Sequence, residues 1–466
     1  MIEVPRWGRQ ASAIQPRQPA FWLFCAMLAI GGLLFALEQV VMIGLASAWL
    51  LSWALVLVYA VPVVVIVYRL DLFEREPKLM LAAAVVWGGV VATSLAGYAN
   101  EAWLSVLGKV SSPEFVSQWG AAIVGPGVEE TLKLMGVVIL YLIASSEFDG
   151  VMDGFVYGAM IGLGFTVVED VSYFINAVAS VPGSVDQAGP VLDTFLIRVV
   201  AGGLYGHVLF TGLTGTGFAY LATQRSAPMM RRLGVGVGCI AAGVSAHLVW
   251  NSPWMDSLLQ TGDASSPSIV QWIEYGLLKG MPFLLLLGVL VAFATRSEEA
   301  AYRAIVAGEP DPMVITEDEI RSLRSLWARR SARSAAGRLH GPAGAALTGR
   351  LQAAQIEYAM IRSGTDALTD PALEAQRRTI RSIRAAIEGA ALPGLMPAPA
   401  IGWPTHTVPG GGMPVWAAPD PSRSPIAAIP GGVPLMILGR VGEWAQVRNA
   451  NGWTGWVDGR LLIERH

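Results

Sequence analysis

For its first three hundred residues the chain alternates long apolar runs with short polar connections, and after that its pattern changes twice. Runs long enough to cross the roughly 30 Å hydrocarbon core of a bilayer lie near 20–38, 41–68, 80–98, 120–144, 152–175, 191–222, 233–252 and 274–295. They predict eight transmembrane helices, an all-α polytopic bundle. Residues 1–19 form a polar tail ahead of them. Residues 296–391 are rich in Ala, Arg and Glu at helical spacing, as in EDEIRSLRSLWARR and ALEAQRRTIRSIRAAIEG, and predict cytosolic helices with solvated faces. The Arg faces also suit anionic lipid headgroups. Residues 392–412 are a Pro/Gly linker. The stretch 413–466 holds short β-type runs separated by glycines and an Asn451-Gly452 turn, which predicts a small β-barrel.

Composition agrees with a membrane protein. The 466 residues are 53% hydrophobic and 14% charged, against about 25% charged in a soluble domain. Cys25 and Cys239 both sit in apolar runs and read as packing residues, so neither a disulfide framework nor a cysteine metal site is expected. The run starting near Ala20 has no small-residue cleavage site and reads as a span, not a signal peptide. Arginine and lysine cluster in alternate connections: Arg6, Arg9 and Arg17; Arg69, Arg75 and Lys78; Arg225, Arg231 and Arg232; and the segment after 295. The other connections (39–40, 99–119, 176–190, 253–273) hold only Lys109. The positive-inside bias therefore predicts a cell-membrane protein with both termini cytoplasmic. The bilayer is an expected partner and nucleic acid is not.

Candidate chemistry lies in the few polar groups inside the spans. Each ionisable side chain at membrane depth costs about 2.5–3.5 kcal/mol on insertion scales. Glu129, Glu130 and Lys133 fall within five residues of the fourth run. Lys133 is one helical turn from either glutamate, at i+4 and i+3. Pro126 starts or kinks this helix, and if it starts it, both glutamates fall in a first turn favourable to negative charge. Glu169 and Asp170 end the fifth run, with Phe165 on the face of Glu169 and Asp170 facing elsewhere. The glycines at 154, 158, 162 and 164 allow close helix approach there. His207 lies about midway along the sixth run, and His247 and Asn251 share one face of the seventh. Taken alone, any one of these groups is an ordinary interhelical hydrogen-bonding residue. Together, the predicted topology places most of them at one depth in the outer half of the bilayer.

The set Glu129-Glu130-x-x-Lys133, Phe165-x-x-x-Glu169, His207 and His247-x-x-x-Asn251 resembles the PrsW family of intramembrane proteases, within the wider superfamily of CAAX prenyl endopeptidases. YRLDLFEREPK, with Asp71, Glu74, Glu76 and Pro77, is similar to that family's acidic loop. The resemblance covers residues 20–295. It implies peptide-bond hydrolysis of membrane-anchored proteins near the extracytoplasmic side, with anti-sigma factors as a substrate class. Carried over, Glu129 or Glu130 is the general base, and Glu169 and His207 orient the water or supply the acid. His247 and Asn251 stabilise the oxyanion, and Lys133 supports the carboxylates. A metal-independent glutamate mechanism is preferred, because no HExxH occurs and each histidine lies on a different helix. If a metal is used, the expected set is a zinc held by His207, His247 and Glu169. Gly442-x-Trp444, Val447 and Gly455-Trp456-Val457 resemble bacterial SH3-type barrels, which implies a peptide ligand for 413–466. The competing readings are an ion- or proton-coupled transporter and a non-catalytic scaffold presenting the barrel.

Overall fold

The structure, a computed structural model, describes residues 7, 13–181, 185–202, 205–256, 268–309, 311–365, 369–390, 406–448 and 454–464. Arg6 and Arg9, most of the 392–412 linker and the Asn451-Gly452 turn lie outside these residues. The chain divides into two compact units, residues 1–308 with 359–368, and 309–358 with 369–466.

The first unit is helical. Helices α1 (Pro19–Met42) and α2 (Ala46–Leu70) meet at one 3₁₀ turn, where Leu45 leaves helical geometry at φ −112°, ψ 64°. The Trp49 and Trp53 indoles both donate to Gln39 Oε1, at 2.9 and 3.3 Å. A straight helix would hold Gln39 and Trp53 about 21 Å apart, so the chain doubles back at this turn. Asp186 caps the returning helix, its carboxylate accepting from the Ser47 and Ala48 amides at 2.7 and 2.9 Å. Next come α3 (Lys78–Val86), a π-helical turn (Trp87–Ala92) and α4 (Thr93–Val110). Helix α5 (Pro113–Ile143) opens with Ser112 Oγ accepting from the Phe115 amide and with proline at its first position. It is followed by α6 (Val151–Ala179), α7 (Gly189–Phe195) and a second π-helical turn (Leu196–Ala201). The unit's last long helices are α8 (Gly206–Thr223), α9 (Met229–Asn251) and α10 (Ile269–Val306). Helix α10 thus continues past residue 295, where the apolar run ends.

Helix α6 is the central column: 89% of its most apolar window is buried inside the protein, against 17% for α10. Its glycines make that position available. A β-carbon on Gly158 or Gly162 would run into the carbonyl oxygens of Thr211 and His207 on α8. Absent side chains at these points let the two backbones touch, which fixes His207 beside the helix that carries Glu169.

Among the described residues, five helical stretches are long and apolar enough to cross a membrane, and a sixth is added if the bent pair Gly189–Ala201 and Gly206–Thr223 counts as one span. The apolar runs predict eight, and the difference has three physical causes. Pro19–Leu70 is one 52-residue helical stretch by length and composition, although it folds back on itself. Helix α5 carries Glu129, Glu130 and Lys133 at its centre, too many charges for a uniformly apolar span. The 191–222 run is broken by a 42° bend.

In the second unit, α11 (Glu317–Leu323), most of α12 (Leu326–Ser363) and α13 (Pro371–Ala390) supply helices. The barrel is antiparallel throughout, with strands β1 (His406–Thr407), β2 (Met413–Val415), β3 (Ala427–Ile429), β4 (Pro434–Val441), β5 (Trp444–Arg448), β6 (Thr454–Asp458) and β7 (Ile463–Glu464). The order is β6-β5-β4-β1-β7, with β2-β3 as a separate pair. Gly442 turns the β4–β5 hairpin at φ +56°, a value that favours glycine. Val415, Leu435, Ala445, Val447 and Val457 fill the core. Strand β1 lies ahead of residue 413, so the sheet draws in residues from the expected linker.

Candidate active site

Helix α5 does not start at Pro126. It begins at Pro113 and carries Pro126 inside it, so Glu129 and Glu130 sit mid-helix, beyond the reach of the N-terminal dipole. Their partners must come from side chains, and they do. Lys133 has a side-chain exposure of 0%. Its ammonium donates to Glu129 Oε2 (3.2 Å), Glu130 Oε1 (3.0 Å) and His207 Nδ1 (2.8 Å). It also lies 3.5 Å from the centre of the Phe165 ring, so that phenylalanine is a cation–π platform in the site.

His207 is not midway along a long helix. It sits in the first turn of α8, immediately after the bend. Its partners define its tautomer, because an ammonium can only donate and a carboxylate can only accept. Nδ1 faces the Lys133 ammonium and carries the lone pair; Nε2–H donates to Glu169 Oε2 at 3.1 Å. His247 is set the other way round. Its Nδ1–H donates to Glu130 Oε1 (3.1 Å), and its Nε2 accepts from the Asn251 amide (3.2 Å). The imidazoles are edge to face at 4.8 Å, and Phe210 stacks on His247. Each histidine therefore has one nitrogen tied to a carboxylate and one lone pair that accepts from a site side chain, Lys133 for His207 and Asn251 for His247.

All seven residues singled out from the sequence, Glu129, Glu130, Lys133, Glu169, His207, His247 and Asn251, meet in one cluster. Three further residues join them. Asn100 on α4 donates to Glu129 Oε1 (3.0 Å), and Thr211 on α8 donates to Glu130 Oε2 (3.0 Å). Arg198 bridges Glu169 (3.0 Å) and Asp170 (2.9 Å). Asp170 belongs to the same network, since its other oxygen accepts from Tyr59 (2.8 Å). Arg198 had a sequence signal, a charge inside an apolar run. Asn100 and Thr211 had none, because neutral residues of these types are common in helix contacts.

A cavity of about 460 Å³ opens onto the cluster. Glu129, Glu169, His207, His247 and Asn251 line it, with Trp250, Trp272 and Tyr275 adding aromatic surface; Glu130 and Lys133 lie behind this wall. Glu129, His207 and His247 each present one ligand atom within 4.8 Å of the others'. Two nitrogens and a carboxylate are the donor set of a catalytic zinc with an open position. Glu169 and Glu130 hold the histidines from behind, as second carboxylates do at metal sites. The carboxylate differs from the expected one: Glu129 joins the two histidines, while Glu169 is tied up by Arg198. Charge points the same way. Four carboxyl side chains, Glu129, Glu130, Glu169 and Asp170, surround two basic ones, Lys133 and Arg198, an acidic excess that suits a cation. The competing feature is the Lys133 ammonium, which rests on the His207 lone pair. The residues fit a metal by donor chemistry and by charge.

The chain is a multi-pass helical membrane protein with a buried Glu/His/His cluster on a cavity. Residues 76–300 match the family model "PrsW family intramembrane metalloprotease", and residues 411–463 match the bacterial SH3 domain. The chain carries a PrsW-family intramembrane protease domain followed by a C-terminal bacterial SH3 domain. No curated protein and no solved structure matched it.

Proposed function

We propose that this protein is a metal-assisted intramembrane endopeptidase that cleaves membrane-anchored proteins near the extracytoplasmic side, with anti-sigma factors as a candidate substrate class. One observation carries the reading. Glu129 from α5, His207 from α8 and His247 from α9 converge on the wall of one cavity. Buried polars that served only helix–helix contacts would have no reason to share one cavity wall.

Glu129, His207 and His247 are the residues that would hold the metal. A divalent ion such as zinc there supplies a Lewis acid and a water of lowered pKa. The other roles belong to the chain's own groups. Of the adjacent pair, Glu129 borders the cavity, so its carboxylate is the one placed to take the proton of the attacking water and return it to the leaving nitrogen, through the oxygen not used as a ligand. Glu130 accepts from Lys133, His247 and Thr211, so it orients and does not act as the base. Asn251 lines the cavity, and its amide would turn an N–H from the Ala121 carbonyl or His247 to the developing oxyanion. His247 Nε2 accepts a hydrogen bond in this arrangement and is a poor donor for that task. The trio's convergence and the family description weigh against the metal-free mechanism preferred from sequence. They give no support to a transporter or a scaffold.

Eight spans, counting the α1–α2 hairpin as two and including α5, and cytoplasmic termini complete the proposal. That topology puts the SH3 domain in the cytoplasm, with a peptide as its ligand. Co-expression of the full chain with single-pass proteins of its host tests the function. Cleavage products that vanish with Glu129→Gln support it. Identical product patterns for wild type and Glu129→Gln overturn it.

A further inference from the structure

Arg198 has no role in the chemistry above, yet it is built into the site with care. It sits in the π-helical turn Leu196–Ala201, and such turns concentrate at functional sites because the extra residue re-aims side chains. Its Nη2 donates to Glu169 Oε2 at 3.0 Å and its Nε to Asp170 Oδ1 at 2.9 Å. Its guanidinium carbon lies 3.6 Å from the centre of the Tyr173 ring. Glu169 and Asp170 are consecutive on α6, so their side chains leave the helix about 100° apart. Bridging them takes a fork of fixed geometry, which arginine has and lysine lacks. Tyr59 on α2 then fixes the far oxygen of Asp170. The Glu169 oxygen held by Arg198 is the one that accepts the His207 Nε2–H bond.

We infer that Arg198 is a positioning residue of the active site. It clamps Glu169 against Asp170 and so keeps His207 in the ring orientation and tautomer with Nε2–H on Glu169 and the lone pair on Nδ1. The inference rests on His207 being a site residue, as proposed above. Loss of an outer partner of this kind lowers metal affinity by about 10–100-fold at characterised metal sites.

The test uses the full chain in lipid nanodiscs with ¹⁵N-labelled histidine. Imidazole N–H spectra and cobalt(II) titrations are recorded for wild type, Arg198→Met, Arg198→Lys and Asp170→Asn. We expect a hydrogen-bonded Nε2–H signal from His207 in wild type, its loss in both Arg198 variants and its weakening in Asp170→Asn. In a fourth variant, Arg198→Ala, the signal should also be lost, and added guanidinium should restore it, whereas potassium should not. Cobalt affinity should fall about 10–100-fold in Arg198→Met. An unchanged His207 signal in an Arg198→Met protein that melts like wild type overturns the inference. If that variant does not fold, an unchanged signal in Asp170→Asn does the same. A wild type that takes up no cobalt, while its variants lose the His207 signal, leaves Arg198's role standing and removes the metal from the proposed function. Equal cobalt binding with unchanged signals keeps the metal and reduces Arg198 to charge neutralisation.

Discussion

Glu129 and Glu130 are neighbours with different fates. Three donors from three different residues meet Glu130, and it stands 1% exposed behind the cavity wall, whereas Glu129 borders the cavity. Glu129→Gln should therefore lower cleavage by about 10²–10⁴-fold, the usual share of a general base, in a single-turnover assay with unchanged protein levels. Thr211→Val removes a hydrogen bond to a buried carboxylate and should destabilise the fold by about 1.5–3 kcal/mol, read as a lower melting temperature in detergent. Local spacing made the intrahelical pairs legible: Glu129 and Glu130 with Lys133, and His247 with Asn251, are one turn apart on single helices. Asn100 and Thr211 were not legible as site residues, because only packing between helices brings them there, whereas Arg198 stood out as a charge in an apolar run and was passed over. At the membrane edge, Asp71 in the α2–α3 connection is 3% exposed, and neither of its oxygens has a hydrogen-bond partner in good geometry. Burial, with Asp149 nearby, pushes its carboxyl up to about 7; the Glu76 and Glu74 amides and Arg75 only partly offset this. A folded value above the unfolded one means its stability contribution is full in acid and is lost as pH rises toward 7. Asp71→Asn should melt above wild type at pH values beyond 7 and alongside it near pH 4. Equal melting at both ends would contradict this.

Among the elements, the α6–α8 contact and the end of α9 decide where the histidines stand. The glycine pattern of α6 announced a close contact, and the structure puts α8 against it. The 191–222 run concealed the bend, because hydropathy is blind to a break between two apolar segments. That break is what brings His207 to a helix start. Gly162→Val should push α8 away from α6, costing at least the about 1–3 kcal/mol of an overpacked core. Cleavage should fall more than stability does, as His207 is displaced. The end of α9 is held by a residue that sequence reasoning passed over. Lys279 on α10, fully buried, donates to the Trp250 and Ser252 carbonyls at 3.1 and 2.6 Å and to the Tyr275 hydroxyl. It closes the helix C-terminus around Asn251 as a cationic cap. Lys279→Met should leave those carbonyls unsatisfied and loosen Asn251, seen as faster amide exchange at 249–252 with α6 unaffected.

For the molecule as a whole, composition and run length gave a polytopic helical bundle and a C-terminal barrel, and both are present. Counting spans was less secure, because helix hairpins, central charges and bends each break the link between one apolar run and one crossing. The charge bias predicts cytosolic termini, so a cytosol-active reporter fused after His466 should be active; activity only in an extracytoplasmic reporter would reverse the topology. The most direct test of the central claim is metal-dependent cleavage by the purified full chain. A membrane-anchored substrate found by co-expression is incubated with wild type, with chelator-treated enzyme with and without zinc added back, and with Glu129→Gln. The account predicts cleavage by wild type, its loss on chelation, its return with zinc, and cleavage about 10²–10⁴-fold slower from Glu129→Gln with zinc present. Chelator-resistant cleavage, or cleavage by Glu129→Gln at the wild-type rate, would contradict it.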